Sequence, residues 1–150
     1  MRIITETFAD ESISVMVNSP YVFALEFMDM AKTLGRMVEK ENEVLAGGRE
    51  NIIKIKFSII KIIDKHTKIV VEVSIDGDNN AEKPLVITMY GFLRVAFRNS
   101  EGIINETFGE FYHKNLVPEM RKASKIKIKD IIKRLKENAA LLAEKFSAEK

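Results

Sequence analysis

The stretch KIKIKDIIKRLKENAALLAEKF, residues 125–146, decides the fold. Its apolar residues recur every three or four positions, and the same spacing reaches back to residue 116, which predicts one long amphipathic helix. A helix of about thirty residues is about 45 Å long, enough to cross a whole sheet. The predicted apolar stripe consists of Leu116, Met120, Ile128, Ile131, Ile132, Leu135, Ala139, Leu142 and Phe146.

The chain before this helix predicts an antiparallel sheet. Apolar residues alternate through 52–63, 69–75 and 84–97, with turn residues at 64–67 and 76–80 between them. A shift of the alternation near 58–60 predicts a bulge or bend there, and Gly91 predicts a bend or a close approach by another element. Further strands are expected at 12–17, 43–45 and 103–113, with 3–8 as another strand or an extension of the first.

Asn18, Ser19 and Pro20 predict the start of a first helix that runs from about Pro20 to Val38. Apolar side chains surround this helix almost completely, so it must be covered on more than one side. The order of elements predicts an α+β fold, in which a curved antiparallel sheet carries a long C-terminal helix across its concave face. We expect the space between sheet and helix to form an apolar cavity.

Composition narrows the class of function. The 150 residues predict a single domain, 1–150, and 46% apolar residues suffice for a core. A net charge of +2 argues against wholesale binding to nucleic acid or to an anionic membrane. There is no cysteine, and His66 and His113 are far apart in sequence, so no metal site is predicted.

The expected localisation is cytoplasmic. No apolar run is long enough to span a membrane, and the first six residues are too polar for a signal peptide. Isoleucine, lysine and glutamate dominate the composition, which is typical of thermophile proteins and also of AT-rich genomes.

A group of motifs in the first third of the chain is similar to the opening of the helix-grip superfamily. That superfamily includes START lipid-transfer domains, the birch-pollen allergen family and polyketide cyclases. The motifs are Ile13, Val15 and Val17, Asn18-Ser19-Pro20, Val22-Phe23, Asp29, Leu34, Glu43-Val44-Leu45 and Gly47-Gly48.

The resemblance implies a tunnel between the sheet and the closing helix for lipids, acyl chains, sterols or polyketides. Archaeal members that resemble this chain are associated with acyl-coenzyme A. Two features depart from the pattern, since the first helix is more apolar than usual and the second short helix is hard to see.

A second resemblance implies a different fold. Phe27-Met28-Asp29-Met30-Ala31 and the segment 91–97 followed by Glu101-Gly102 are similar to motifs of hot-dog acyl-coenzyme A thioesterases. In that fold the sheet wraps the first helix, and the resemblance implies that Asp29 acts on the thioester. The glycine-rich entry to the helix is missing, and the long C-terminal helix would be an addition.

The hypothesis for the ligand divides the candidate residues into two sets. Apolar residues of the closing helix and the sheet are expected to hold an acyl chain, and basic residues of the same helix are expected to hold a phosphorylated headgroup. The expected acyl cavity is lined by Ile128, Ile131, Ile132, Leu135, Leu142, Met28, Leu93 and Val95, and the expected headgroup site by Lys125, Lys129, Lys133 and Arg134.

These basic residues belong to a segment, 121–136, with eight positive charges against Asp130. The alternative interpretation is the solvated side of an amphipathic helix. Aromatic residues are not interleaved with these bases, which argues against nucleic-acid binding.

The remaining polar candidates each have a structural alternative. Asp29 could be a general base if it were buried, or a surface charge paired with Arg36. His66 is expected in an exposed turn, and His113 at the end of a strand. Tyr90 and Arg94 share the less apolar face of their strand, so the other face is expected to point inward and Arg94 outward.

The sequence thus predicts a protein that binds a small hydrophobic ligand, a fatty acid or acyl-coenzyme A, without a required cofactor. One alternative is an acyl-coenzyme A thioesterase of the hot-dog type that uses Asp29. The other is a structural module whose apolar first helix forms a homodimer face.

Overall fold

The computed structural model of the protein describes residues 2–47, 50–97 and 117–147. Strand β1 leads into helix α1, a short 3-10 turn follows, and four more strands precede the long C-terminal helix α2. The bounds are β1 (Arg2–Val15), α1 (Pro20–Ala31), the 3-10 turn (Lys32–Leu34), β2 (Arg36–Gly47), β3 (Glu50–Ile62), β4 (Thr67–Asp78), β5 (Leu85–Phe97) and α2 (Val117–Ser147). The strand predicted at 103–113 lies outside the described residues.

The strands form one antiparallel sheet in the order β1-β5-β4-β3-β2. Its two outer strands each contain a bulge, at Phe8 in β1 and at Lys40 in β2, and such bulges bend a strand. The pairing of β3 with β4 is continuous from Ile52 to Ile62, so the bulge predicted near 58–60 is wrong. The shift in the alternation instead leaves Ile62 at the surface, 68% exposed.

Helix α1 ends seven residues earlier than Val38, the end that the sequence predicts. After the 3-10 turn, Gly35 is extended, and 36–47 pairs with β3 along its whole length. A Cβ at Gly35 would lie 2.8 Å from Cγ2 of Ile59, so glycine allows the chain to pass close to β3. Pairing with a neighbouring strand therefore overrides the helical pattern of 32–38, and the strand predicted at 43–45 is part of this longer one.

Helix α2 has 31 residues, about 46 Å at its rise per residue, and packs against β1, β5 and β4. Helix α1 packs against α2 and β3. The buried side chains of both helices join those of the inner sheet face in one apolar core. The α+β helix-grip arrangement predicted from the sequence is confirmed. The hot-dog alternative is wrong, because the helix that lies across the sheet is the C-terminal one.

Three ion pairs connect α2 to the elements beside it. Arg121 and Lys136 pair with Glu6 and Glu11 of β1, and Lys145 pairs with Glu26 of α1 at 3.2 Å. Such half-exposed pairs each contribute about 1 kcal/mol or less, so apolar burial provides most of the attachment. The positions of Arg121 and Lys136 nevertheless identify the side of α2 that faces β1.

Candidate ligand-binding site

The middle of α2 lies directly on the sheet. Gly91 of β5 faces the helix, and a Cβ there would overlap with Cγ2 of Ile128 and lie 3.6 Å from Cδ1 of Ile132. The close approach predicted at Gly91 is therefore confirmed, and the gap predicted between sheet and helix is absent at this point. Any ligand beneath α2 has to lie to one side of this contact.

The residues expected to line an acyl cavity fall into two apolar groups. The first group is buried in the large core, and it contains Met28, Ile128, Ile131, Ile132, Leu135 and Leu142. The second group is Leu93 and Val95, which form a small cluster of their own with the partly buried Phe8 and Met120. We call this small cluster the β5-end cluster. Its lining role in a ligand site stays a prediction, as does that of the first group.

Two buried polar atoms lie on α2 beside the β5-end cluster. They are Nε of Arg121 and Oγ of Ser124, and neither has a hydrogen-bond partner within the part of the chain that the structure describes. Ser124 is 1% exposed and lies one helical turn before Ile128, on the side of α2 that faces the sheet. Leaving a buried polar group unpaired costs about 1–3 kcal/mol, so a ligand atom that pairs with these groups is favoured there.

The side chain of Arg121 is held in place by β1. Its Nη2 donates a hydrogen bond to Oε1 of Glu6, and Glu6 lies opposite Leu93 in the sheet register, on the inner face. A charge-assisted hydrogen bond of this kind fixes the plane of the guanidinium group. The ion pair uses Nη2, and Nε has no partner of its own in the described part of the chain.

The sequence gives only a weak sign of these two groups. Ser124 occupies a stripe position four residues before Ile128, where an apolar side chain is the norm, and a small polar residue in such a stripe is the signal. The Arg121 partner depends on the register of β1 against β5, which residue types alone do not determine.

The basic residues expected to hold a headgroup lie on the other side of α2. Lys125, Lys129, Lys133 and Arg134 are all exposed, and Nε of Arg134 pairs with Oδ2 of Asp130 at 3.2 Å. They face solvent, away from the β5-end cluster. Their role in holding a headgroup stays a prediction.

Asp29 lies at the surface of α1. Its side chain is 77% exposed and its Oδ1 is 3.4 Å from Nζ of Lys32, rather than paired with Arg36 as expected. The general-base hypothesis requires a buried carboxylate, and this condition is not met. Asp29 and the β5-end cluster are not brought together.

Helix α1 buries its large apolar side chains within its own chain. Phe23 and Phe27 are fully buried and stacked, and Phe146 of α2 contacts Phe23 edge to face. This covering explains the apolar composition of α1 without a second copy of the chain. The homodimer stays a prediction.

The two faces of β5 are oriented as the sequence predicts. Leu85, Ile87 and Met89 are buried on the inner face of β5, and Arg94 points outward. His66 is half-buried rather than exposed, with Nδ1 3.2 Å from the carbonyl oxygen of Ala96. His113 lies outside the described residues.

Two of the pockets lined by described residues lie away from α2. One of about 310 Å³ lies at the turn between β3 and β4 on the outer face, and one of about 300 Å³ lies at the start of α1. Neither lies between the sheet and α2. Within the described ranges, no helix combines the length and the apolar composition needed to span a bilayer.

Comparison with known proteins leaves the family open. No protein-family model matches the chain, and no curated protein is significantly similar to it. Among solved structures, truncated norcoclaurine synthase from Thalictrum flavum is 12% identical with a TM-score of 0.30, over 100% of this chain and 98% of that chain. A point mutant of the same synthase, bound to a transition-state analogue, is 12% identical with a TM-score of 0.25, over 89% and 98%. Similarity at this level supports no statement about the ligand or activity of this chain.

Proposed function

We propose that the protein binds a fatty acyl chain beneath the first turns of α2, with the carboxylate of the ligand at Arg121 and Ser124. The observation that carries the proposal is the pair of buried polar atoms, Nε of Arg121 and Oγ of Ser124, beside apolar Leu93 and Val95. A carboxylate offers two acceptor oxygens, which match an N–H donor and an O–H donor one helical turn apart.

The apolar surroundings support a hydrocarbon body for the ligand. Leu93 and Val95 form a buried cluster of their own, and of their partly buried neighbours Phe8 and Met120, the methionine is a side chain that adapts to a flexible ligand. The close contact between Gly91 and Ile128 leaves no room for the ligand on that side of Ser124. The acyl chain would therefore extend from Ser124 toward the start of α2. A cation, a hydroxyl and an apolar wall together are typical of sites for amphipathic ligands.

An acyl-coenzyme A ligand extends the same proposal. The thioester oxygen would occupy the place of the carboxylate, and the phosphates would reach the exposed Lys125, Lys129 and Lys133. Arg134 contributes less than these lysines, because Asp130 already pairs with it. Changing the three lysines to glutamine together is expected to weaken binding of palmitoyl-coenzyme A and leave binding of palmitate unchanged. Equal affinities of variant and wild type for palmitoyl-coenzyme A would limit the proposal to free fatty acids.

The main test compares two serines with similar burial. Ser124→Ala removes the proposed ligand contact, whereas Ser58→Ala removes a buried hydroxyl on the outer face of β3 that has no partner among the described residues. With the fluorescent fatty acid cis-parinaric acid as probe, Ser124→Ala is expected to weaken binding about fivefold to tenfold. Ser58→Ala should bind as the wild type does. Wild-type protein that binds no probe, or two serine variants with the same affinity, would contradict the proposal.

Binding requires no catalytic residue, and the exposed Asp29 supports no hydrolytic step. Incubation with palmitoyl-coenzyme A should therefore release no free thiol above the rate in buffer. Release that disappears in Asp29→Asn would instead favour the thioesterase.

A further inference from the structure

We propose a second binding site, on the opposite face of the sheet, for the phosphate group of a small soluble molecule. The site is the pocket of about 310 Å³ between the β3–β4 turn and the end of β5. Its volume lies at the lower end of the range typical of small-molecule sites. Three of its lining residues on β4 and β5, Lys68, Arg94 and Ala96, alternate with the inner-face residues and so lie on the other side of the sheet from the acyl site. Thr67, at the start of β4, is on the inner face opposite Val95.

Three cations converge on this pocket. Lys68 and Arg94 lie directly opposite each other on β4 and β5, and Lys65 projects from the turn. Among the lining residues in the described ranges, Asp64 is the one carboxylate, and its Oδ1 accepts a hydrogen bond from the backbone N–H of His66 at 2.8 Å. With His66 counted as neutral, the lining carries a net charge of +2. An anion is the ligand that such a lining favours.

None of the three pocket cations belongs to the ion pairs described for this protein. Lys32, Lys83, Arg121, Arg134, Lys136 and Lys145 all form ion pairs. Within the described ranges, Lys65, Lys68 and Arg94 form none. Their charges therefore remain available to a ligand, and Arg94 offers the two parallel N–H groups that suit a phosphate.

The turn that forms the pocket wall is fixed to its neighbours. The backbone N–H of Ala96 donates to the carbonyl oxygen of His66 at 2.8 Å, and Nδ1 of His66 lies 3.2 Å from the carbonyl oxygen of Ala96. Inside the turn, the N–H of Ile63 donates to the carbonyl oxygen of Thr67 at 2.9 Å. A wall held in this way is preformed, which reduces the entropy lost on binding.

The apolar part of the lining indicates what the phosphate is attached to. Ile62 is 68% exposed, the largest exposed fraction among the described large hydrophobic side chains, and it lines the pocket together with Ala96. Contact with a ligand would remove part of this apolar surface from water. The geometry therefore favours a phosphate monoester with a small apolar or ring-shaped body over inorganic phosphate.

The test uses phenyl phosphate and inorganic phosphate as probes, with ¹⁵N-labelled full-length protein. Millimolar phenyl phosphate is expected to shift the amide resonances of residues 64–68 and 94–96, with tighter binding than inorganic phosphate. Arg94→Gln should weaken binding about tenfold or more, since it removes a charge-assisted contact. Arg36→Gln, which removes an exposed arginine of β2 outside the pocket, is the matched control and should leave the affinity unchanged.

Two results with the soluble probes and the variants would overturn this proposal. One is the absence of shifts at 64–68 with phenyl phosphate, and the other is an equal loss of affinity in Arg36→Gln and Arg94→Gln. A lipid source of the phosphate is tested with phosphatidylcholine vesicles that contain phosphatidic acid. Sedimentation with these vesicles without a response to phenyl phosphate would also overturn it. Ser124→Ala should not alter phenyl phosphate binding, so this site and the acyl site succeed or fail separately.

Discussion

Two parts of helix α2 meet the same sheet in different ways. In the middle, Ile128 rests on Gly91 so closely that a single added carbon would overlap with it. At the beginning, Arg121 and Ser124 place buried polar atoms beside the β5-end cluster without partners in the described part of the chain. The middle of α2 is thus packed directly on the sheet, and the proposed function places the ligand at its first turns.

The largest expected loss of stability is at a residue of α2 that packs against the sheet. Leu135 is a fully buried residue of α2, so Leu135→Ala should lower the free energy of unfolding by about 2–5 kcal/mol. Leu141 on the same helix is 62% exposed, and Leu141→Ala is the control that should change stability little. Urea denaturation measures both. Similar losses in the two variants would mean that α2 is not packed on the sheet as described.

The contact at Gly91 is tested by a smaller change. Gly91→Ala should destabilise the protein by about 1–3 kcal/mol, because the added carbon overlaps with Ile128. Combining it with Ile128→Ala should cost less than the sum of the two single changes, since the second change makes room for the first. Additive losses in urea denaturation would show that the two residues are not in contact.

In the first turns of α2, we expect a substitution to change the free energy of unfolding in the opposite direction. Ser124→Ala should raise the free energy of unfolding of the ligand-free protein by about 1 kcal/mol, because a buried hydroxyl without a partner is removed. Thermal denaturation monitored by circular dichroism is the measurement. A loss of stability would mean that the hydroxyl already has a partner.

The smallest effect is expected at the ion pair between Lys136 and Glu11. A double-mutant cycle with Lys136→Met and Glu11→Gln should give a coupling energy of about 1 kcal/mol or less, falling as salt is added. A much larger coupling would mean that this pair, rather than apolar packing, attaches α2 to β1.

Periodicity in the sequence predicts much of this architecture. The stripe from Ile128 to Leu142 predicts the buried side of α2, and the alternation in 84–97 predicts which face of β5 points inward. Both predictions succeed because the apolar pattern reflects burial, and burial recurs with the period of the helix or the strand. The close approach at Gly91 is predicted for a different reason, because a glycine inside a strand has no side chain to keep another element away.

The failures depend on contacts between distant segments. Residues 36–47 form a long strand because β3 lies beside them, and no local pattern contains that information. The general-base hypothesis for Asp29 depends on which side of α1 is covered, and α2 and β3 cover the other side. The sequence does not predict a site at Arg121 and Ser124, because the proposal for them depends on which polar atoms lack a hydrogen-bond partner in the folded, described part of the chain.

The most direct measurement is a titration of the protein with palmitate labelled with ¹³C at its carboxyl carbon, followed by NMR. The account predicts a bound carboxyl resonance, distinct from that of free palmitate, that moves in Ser124→Ala and stays in place in Ser58→Ala. Absence of a bound resonance, or a bound resonance that is the same in Ser124→Ala as in the wild type, would contradict it.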